Sequence, residues 1–236
     1  MHARRVRLNH GCVAVNINIE PYISELISSL QNRFCSKLLY VGLQGSYLRG
    51  EATESSDVDI MVILDSLTVS DLDTYRSVIQ SLDHYDKSCG FICSKDDMAA
   101  WNPLEICHLI HSTKDYYGEL REFVPAYTEQ DIRNLVKMSL NNLYHELCHR
   151  YIHSSPERNV AALPGTYKGV FFILQNLHYL NTGNFVPTKT ELLAQLEGKN
   201  QAVLKRSMDF IHGESFDFRE SYELLLTWCQ ETLQSV

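Results

Sequence analysis

With 236 residues the chain has room for one large domain or two small ones, and at this length about 70% of the unfolded surface can be buried without help from a disulfide or structural metal. Hydrophobic residues at 44% and charged residues at 21% are ordinary globular proportions, which excludes disordered, collagenous and coiled-coil classes. The 29 acidic against 21 basic side chains, a net charge of −8, have the wrong sign for a protein that lives on a phosphate backbone, so no nucleic-acid partner is expected.

No run of 18 apolar residues occurs, so no membrane span is expected. The start, Met1 to Arg7, is basic, but the segment after it is broken by Asn9, Asn16 and Asn18 and makes a poor secretory signal. Seven scattered cysteines with no C-x-x-C pair read as reduced, mostly buried thiols of a cytoplasmic protein.

In chain order, residues 21–37 carry a helical apolar stripe at 23, 26, 27, 30 and 34. The runs LLYVGL at 38–43 and VDIMVIL at 58–64 are short, apolar and bounded by polar residues, as buried strands are. Residues 70–82 open with Ser70 as a cap and acids in the first turn, which predicts a helix. A third strand is expected at 89–93, then a short amphipathic helix through Asp96 and Asp97 to Trp101. Beyond residue 125 only helices are expected: 129–153, 165–180 bounded by Pro164, 190–196, 201–211 and 218–233. The fold class is therefore α+β, with one domain at 1–124 and an all-α helical bundle domain at 125–236.

The chemistry concentrates in residues 39–64, where Gly45-Ser46 is followed after ten residues by Asp57-Val58-Asp59 at the mouth of an apolar strand. Residues i and i+2 of a strand project to one face, so Asp57 and Asp59 set two carboxylates side by side. Such a pair repels itself unless a hard cation sits between them. Gly45 and Ser46 end the preceding strand and open a short helical turn whose N–H groups, with the Ser hydroxyl, suit a triphosphate. Arg49, three residues past the Ser, adds charge to that cradle. Mg²⁺ held by one or two carboxylates plus substrate phosphates is the usual arrangement for that ion.

Gly45-Ser46-x10-Asp57-x-Asp59 resembles the signature of the DNA polymerase β-like nucleotidyltransferase superfamily, and within it the antibiotic, aminoglycoside-type adenylyltransferases. KDDMAAW at 95–101 and HYLNTGNFVPTKTELLAQL at 178–196 are similar to later segments of the streptomycin and spectinomycin enzymes. The resemblance implies a polymerase-β-like core of short mixed sheet with helices, followed by a helical domain. It implies Mg²⁺ on Asp57 and Asp59, ATP as co-substrate on Gly45, Ser46 and Arg49, and a phosphate contact from Lys189. The implied reaction moves AMP from ATP to a hydroxyl of a small acceptor such as an aminoglycoside, with release of pyrophosphate. The family's base often comes from the helical domain, which points to His145 or Glu146. Glu146 is preferred, since Asn142, Glu146 and His149 share the polar face opposite Leu140, Leu143 and Leu147. One departure stands out: the family usually places a third carboxylate on the third strand, but SCGFICS at 88–94 contains no acid, and Asp86 and Asp96 merely flank it.

Two further readings follow from the same signature: an antitoxin-type enzyme that modifies a partner protein, and a nucleotide-binding protein without turnover. A different class is raised by His145-Glu146-Leu147-Cys148-His149, a literal H-E-x-x-H, the zinc-metalloprotease pattern. Against it, Ile152 and Ser155 occupy the places of the glycine and third histidine of the extended motif. His108 and His111, on an apolar stretch, are expected to be packed or surface histidines rather than ligands.

Overall fold

The computed structural model describes residues 17–236; the basic N-terminal segment lies outside them. It is a mixed α+β structure, and the described part divides into two compact units. One runs to Lys95 and takes in Asp115–Gly118; the other comprises Asp96–Lys114 and Glu119–Val236.

The first unit opens with α1 (Ile19–Phe34), whose Ile23, Leu26 and Leu30 are fully buried at helical spacing. A single 3₁₀ turn, Cys35–Lys37, leads into β1 (Leu38–Leu43), followed by α2 (Gly45–Arg49), β2 (Val58–Leu64), α3 (Val69–Ser81) and β3 (Ser88–Ser94). A fourth strand, β4 (Lys114–Tyr117), completes a sheet of order β3-β2-β1-β4. β1 and β2 pair antiparallel, β2 and β3 parallel. Strands β1 and β2 occupy the centre, which explains why both read as nearly continuous apolar runs: neither face of a central strand is solvated. Ile23, Leu26, Leu30, Val41, Leu43, Val58, Ile60 and Val62 form one core cluster.

The start of α3 differs from the sequence expectation. Thr68, not Ser70, is its cap, in a capping box with Asp71, and Lys37 Nζ adds an ion pair to Asp71 at 2.7 Å. The box won because Asp71 lies three residues after Thr68, where each side chain reaches the other's backbone N–H. β4 escaped the sequence reading altogether. Its sequence, KDYY, has no apolar alternation; it is held by tertiary bonds, Tyr40 Oη donating to Asp115 at 2.6 Å and Tyr116 Oη donating to Glu20 at 2.8 Å.

The second unit contains α4 (Lys95–Ala99, of which Lys95 belongs to the first unit), α5 (Pro103–His111), α6 (Glu129–His153), α7 (Pro156–Tyr167), α8 (Val170–Thr182), α9 (Lys189–Gln195), α10 (Gly198–Ile211) and α11 (Phe218–Ser235). α6 begins on a Thr128–Asp131 capping box and buries Ile132, Val136, Leu140, Leu143 and Leu147 along one stripe. Val136, Leu140, Leu143 and Leu147 join Phe171, Leu174, Val203, Leu204, Leu225 and Trp228 in one helical core. Pro164 does not bound a helix: it lies inside α7, and the break falls instead at Lys168-Gly169. Burial of Leu163 and Tyr167, with Tyr167 Oη donating to Ser221 O at 2.7 Å, holds α7 helical past the missing proline N–H. The six described cysteines are free, with Cys93, Cys107 and Cys229 buried and Cys35 and Cys89 exposed. No helix is long and apolar enough to cross a membrane among the described residues.

Candidate active site

The site is built at the ends of β1 and β2. Gln44 N donates to Asp59 O at 2.9 Å, so the antiparallel pairing carries on one residue past β1 and brings the next residue against β2. That residue is Gly45, with φ +71°, where an ideal Cβ would lie 1.9 Å from Asp59 Oδ2. Only glycine fits here, both for its left-handed backbone and because the Asp59 carboxylate fills the space a side chain would take. Gly45 thus couples the turn to the carboxylate: the two halves of the motif, far apart in sequence, are in contact.

From Gly45 the chain makes α2, five residues long and closed by Gly50 in the left-handed region. A helix this short has almost no macrodipole, so any anion affinity rests on the turn's own N–H groups and the Ser46 hydroxyl. Glu51 N donates to Ser46 O at 2.9 Å, and Arg49 Nε pairs with Glu51 Oε2 at 3.1 Å. Arg49 is therefore on the site's own turn, with its guanidinium oriented by Glu51.

Asp57 is exposed and immediately precedes β2; Asp59 is half-buried within it, between the fully buried Val58 and the buried Ile60. Among the described residues, no three histidine, cysteine or acidic side chains converge tightly enough to cage an ion. The donor set nevertheless fits Mg²⁺, a hard cation that keeps several waters and takes one or two carboxylates with phosphate oxygens rather than a closed protein cage. With no side chain at Gly45, the Asp59 carboxylate packs directly against the turn's backbone.

A residue absent from the sequence reading also belongs here. The parallel register sets Cys89 of β3 beside Asp59, which brings its thiol into the field of the carboxylate pair. Desolvation pushes the thiol up from its ordinary value, the Gly90 backbone N–H opposes this in part, and the negative charges of Asp59 and Asp57 add to the rise. The strand therefore presents a thiol, not an acid, next to the carboxylate pair; Asp86 lies in a 3₁₀ turn before β3 and Asp96 in α4 after it. The parallel register was the missing signal.

Glu146 and Lys189 belong to the helical unit. Glu146 Oε1 accepts from Arg150 Nε at 2.9 Å and from Thr166 Oγ1 at 3.3 Å. Lys189 opens α9 after the Thr188 cap, its Nζ 4.8 Å above the Phe171 ring. His145 and His149 are exposed on α6 while Glu146 is drawn to Arg150 and Thr166, away from the role that H-E-x-x-H gives it.

His108 and His111 are packed. Asn176 Nδ2 donates to His108 Nδ1 at 3.1 Å, and the His111 ring stacks on Phe185 at 4.9 Å and 17°. Burial, with the nearby Arg121 charge, lowers the His111 pKa below its usual 6.5. A histidine with a depressed folded-state pKa binds fewer protons folded than unfolded, so stability is full above about pH 6.5 and falls as the pH drops through that value towards the folded pKa. His111→Phe keeps the stack and removes the proton: its melting temperature should fall less than the parent's between about pH 7 and pH 5. Equal slopes in thermal melts would show that His111 does not titrate in this way.

The sequence model of a family described as nucleotidyltransferase domain matches residues 23–94, from within α1 to the end of β3. A Methanocaldococcus jannaschii protein, provisionally named a protein adenylyltransferase, is 37% identical over 49 residues, 21% of this chain and 49% of that protein. The chain thus spans about half the length of the curated relative it matches. Among solved structures, the spectinomycin adenyltransferase of Enterococcus faecialis, solved with ATP and spectinomycin, shares the fold with a TM-score of 0.56 at 14% identity. The superposition covers 91% of this chain and 98% of that one.

Proposed function

Because the chain carries a nucleotidyltransferase domain across residues 23–94, we propose that it is an adenylyltransferase that moves AMP from ATP to a hydroxyl of a small, aminoglycoside-type acceptor. The observation that carries this reading is the contact between Gly45 and Asp59, which joins a backbone turn suited to phosphate with a carboxylate pair suited to a hard cation. The full-length likeness to an antibiotic adenyltransferase supports the acceptor class, and the net charge of −8 suits a polycationic one. The free thiols fit a reducing, cytoplasmic compartment.

In this reading Gly45 and Ser46 hold the triphosphate through the turn's N–H groups and hydroxyl, and Arg49, oriented by Glu51, offers its remaining guanidinium donors. Asp57 and Asp59 would hold Mg²⁺, which neutralises phosphate charge and supports in-line displacement. The acceptor oxygen bonds to the α-phosphorus as the bond to pyrophosphate breaks, and the hydroxyl proton passes to a base. Glu146 is proposed for that role, which requires it to exchange its contacts with Arg150 and Thr166 for the acceptor. Lys189 is proposed to neutralise phosphate charge from the helical unit.

The test is Mg²⁺-dependent pyrophosphate release from ATP in the presence of spectinomycin, streptomycin and a panel of aminoglycosides. Release that requires both an acceptor and Mg²⁺ is expected; ATP binding without release under any acceptor would point to nucleotide binding alone, the reading favoured by a thiol beside Asp59. A second reading, transfer of AMP to a protein hydroxyl, draws on the name of the Methanocaldococcus relative. Label from α-³²P ATP appearing on protein rather than on the small acceptors would favour it.

A further inference from the structure

The H-E-x-x-H segment is not absorbed by the nucleotidyltransferase reading, and the structure extends it. His153 follows His149 by four residues, so His145, His149 and His153 form a ladder over the last turns of α6, all three exposed. Four residues is close to one helical turn, which stacks the rings one above another. Their centroids are 5.8 Å apart for His145 and His149 and 4.8 Å for His149 and His153.

We propose that this ladder is a chelating site for a borderline divalent cation, Zn²⁺, Ni²⁺ or Cu²⁺, held by the imidazole pair His149/His153 or His145/His149. Two imidazole nitrogens within about 2 Å of one ion need ring centroids at about this spacing, and i, i+4 histidines on a helix are the usual way to supply them. The neighbouring charge favours occupancy: Arg150, the cation next to His149, is ion-paired with Glu146 at 2.9 Å. No third protein ligand converges among the described residues, so water completes the coordination and the ion exchanges rather than staples the fold. The same openness, with Glu146 held by Arg150 and Thr166, distinguishes the ladder from a protease centre. Ligand type also differs from that of the first unit: imidazole suits late first-row cations, whereas the carboxylates of Asp57 and Asp59 suit Mg²⁺.

The experiment is calorimetric titration of the untagged full chain with Ni²⁺ and with Zn²⁺ in a non-chelating buffer, for the parent and for His145→Ala, His149→Ala and His153→Ala. Alanine at an exposed helical position preserves the helix, which circular dichroism verifies. The chain's seven other histidines remain in every variant, so differences report the ladder. His149 belongs to both pairs: its loss should weaken the tightest event by at least about tenfold. His145→Ala and His153→Ala each keep one pair and should weaken it less. Parent-like affinity in His149→Ala, or a parent that binds Ni²⁺ and Zn²⁺ no more tightly than Mg²⁺, overturns the proposal.

Discussion

Asp59→Ala is expected to lower acceptor-dependent pyrophosphate release by roughly a thousandfold, about 4 kcal/mol of transition-state stabilisation, without unfolding the protein. The argument has two parts. Asp59 is the half-buried member of the pair, fixed within β2 by the register of two neighbouring strands, so its carboxylate is pre-positioned rather than gathered from solvent. Removing it takes away half of the charge that would hold the cation on the transferring phosphate. The same change leaves the core untouched, since Val58, Ile60 and Val62 carry the packing of β2. It also relieves the repulsion between two carboxylates in the metal-free protein. The melting temperature should therefore stay level or rise in the absence of Mg²⁺. A thermal melt and a rate measurement on one preparation check both parts; retained turnover would remove Asp59 from the site, and collapse of the fold would make its role structural.

Gly45→Ala should be the more damaging change, because it acts on backbone and carboxylate together. The new Cβ meets two penalties: a left-handed φ of +71°, and a carboxylate oxygen 1.9 Å away. The first costs about 1 kcal/mol or more whatever the surroundings. The second forces Asp59 or the turn to move, so activity should fall as far as in Asp59→Ala while stability also drops by about 1–3 kcal/mol. Combining the two substitutions distinguishes these penalties. With Asp59 truncated, the two closest contacts are lost and only a tight Cβ–Cβ contact at 3.2 Å and the backbone penalty remain, so Gly45→Ala/Asp59→Ala should be more stable than Gly45→Ala alone. Denaturant titration of the four proteins measures the coupling. Strict additivity would mean that the contact does not press on the fold.

Much of this protein can be read from local sequence, where the cause is itself local. The central strands announced themselves as apolar runs because both faces of each are covered, and the helix at 129–153 emerged at its full length because its buried stripe and its Thr128–Asp131 box are periodic, short-range features. The Gly-Ser and Asp-x-Asp elements were legible for the same reason: residue type and alternation set which side chains face the turn. What was missed is what depends on a distant partner. β4 has no strand pattern of its own and exists through Tyr40 and Glu20; α7 continues through Pro164 because Leu163 and Tyr167 are buried. The sheet fixed Cys89 beside Asp59 through a parallel register that no spacing in the chain encodes. The sequence by itself determined which chemical groups this protein owns and which strand or helix carries them. Only the tertiary structure decided which of them touch, because a contact such as Gly45 against Asp59 is set by strand pairing across residues that are far apart in the chain.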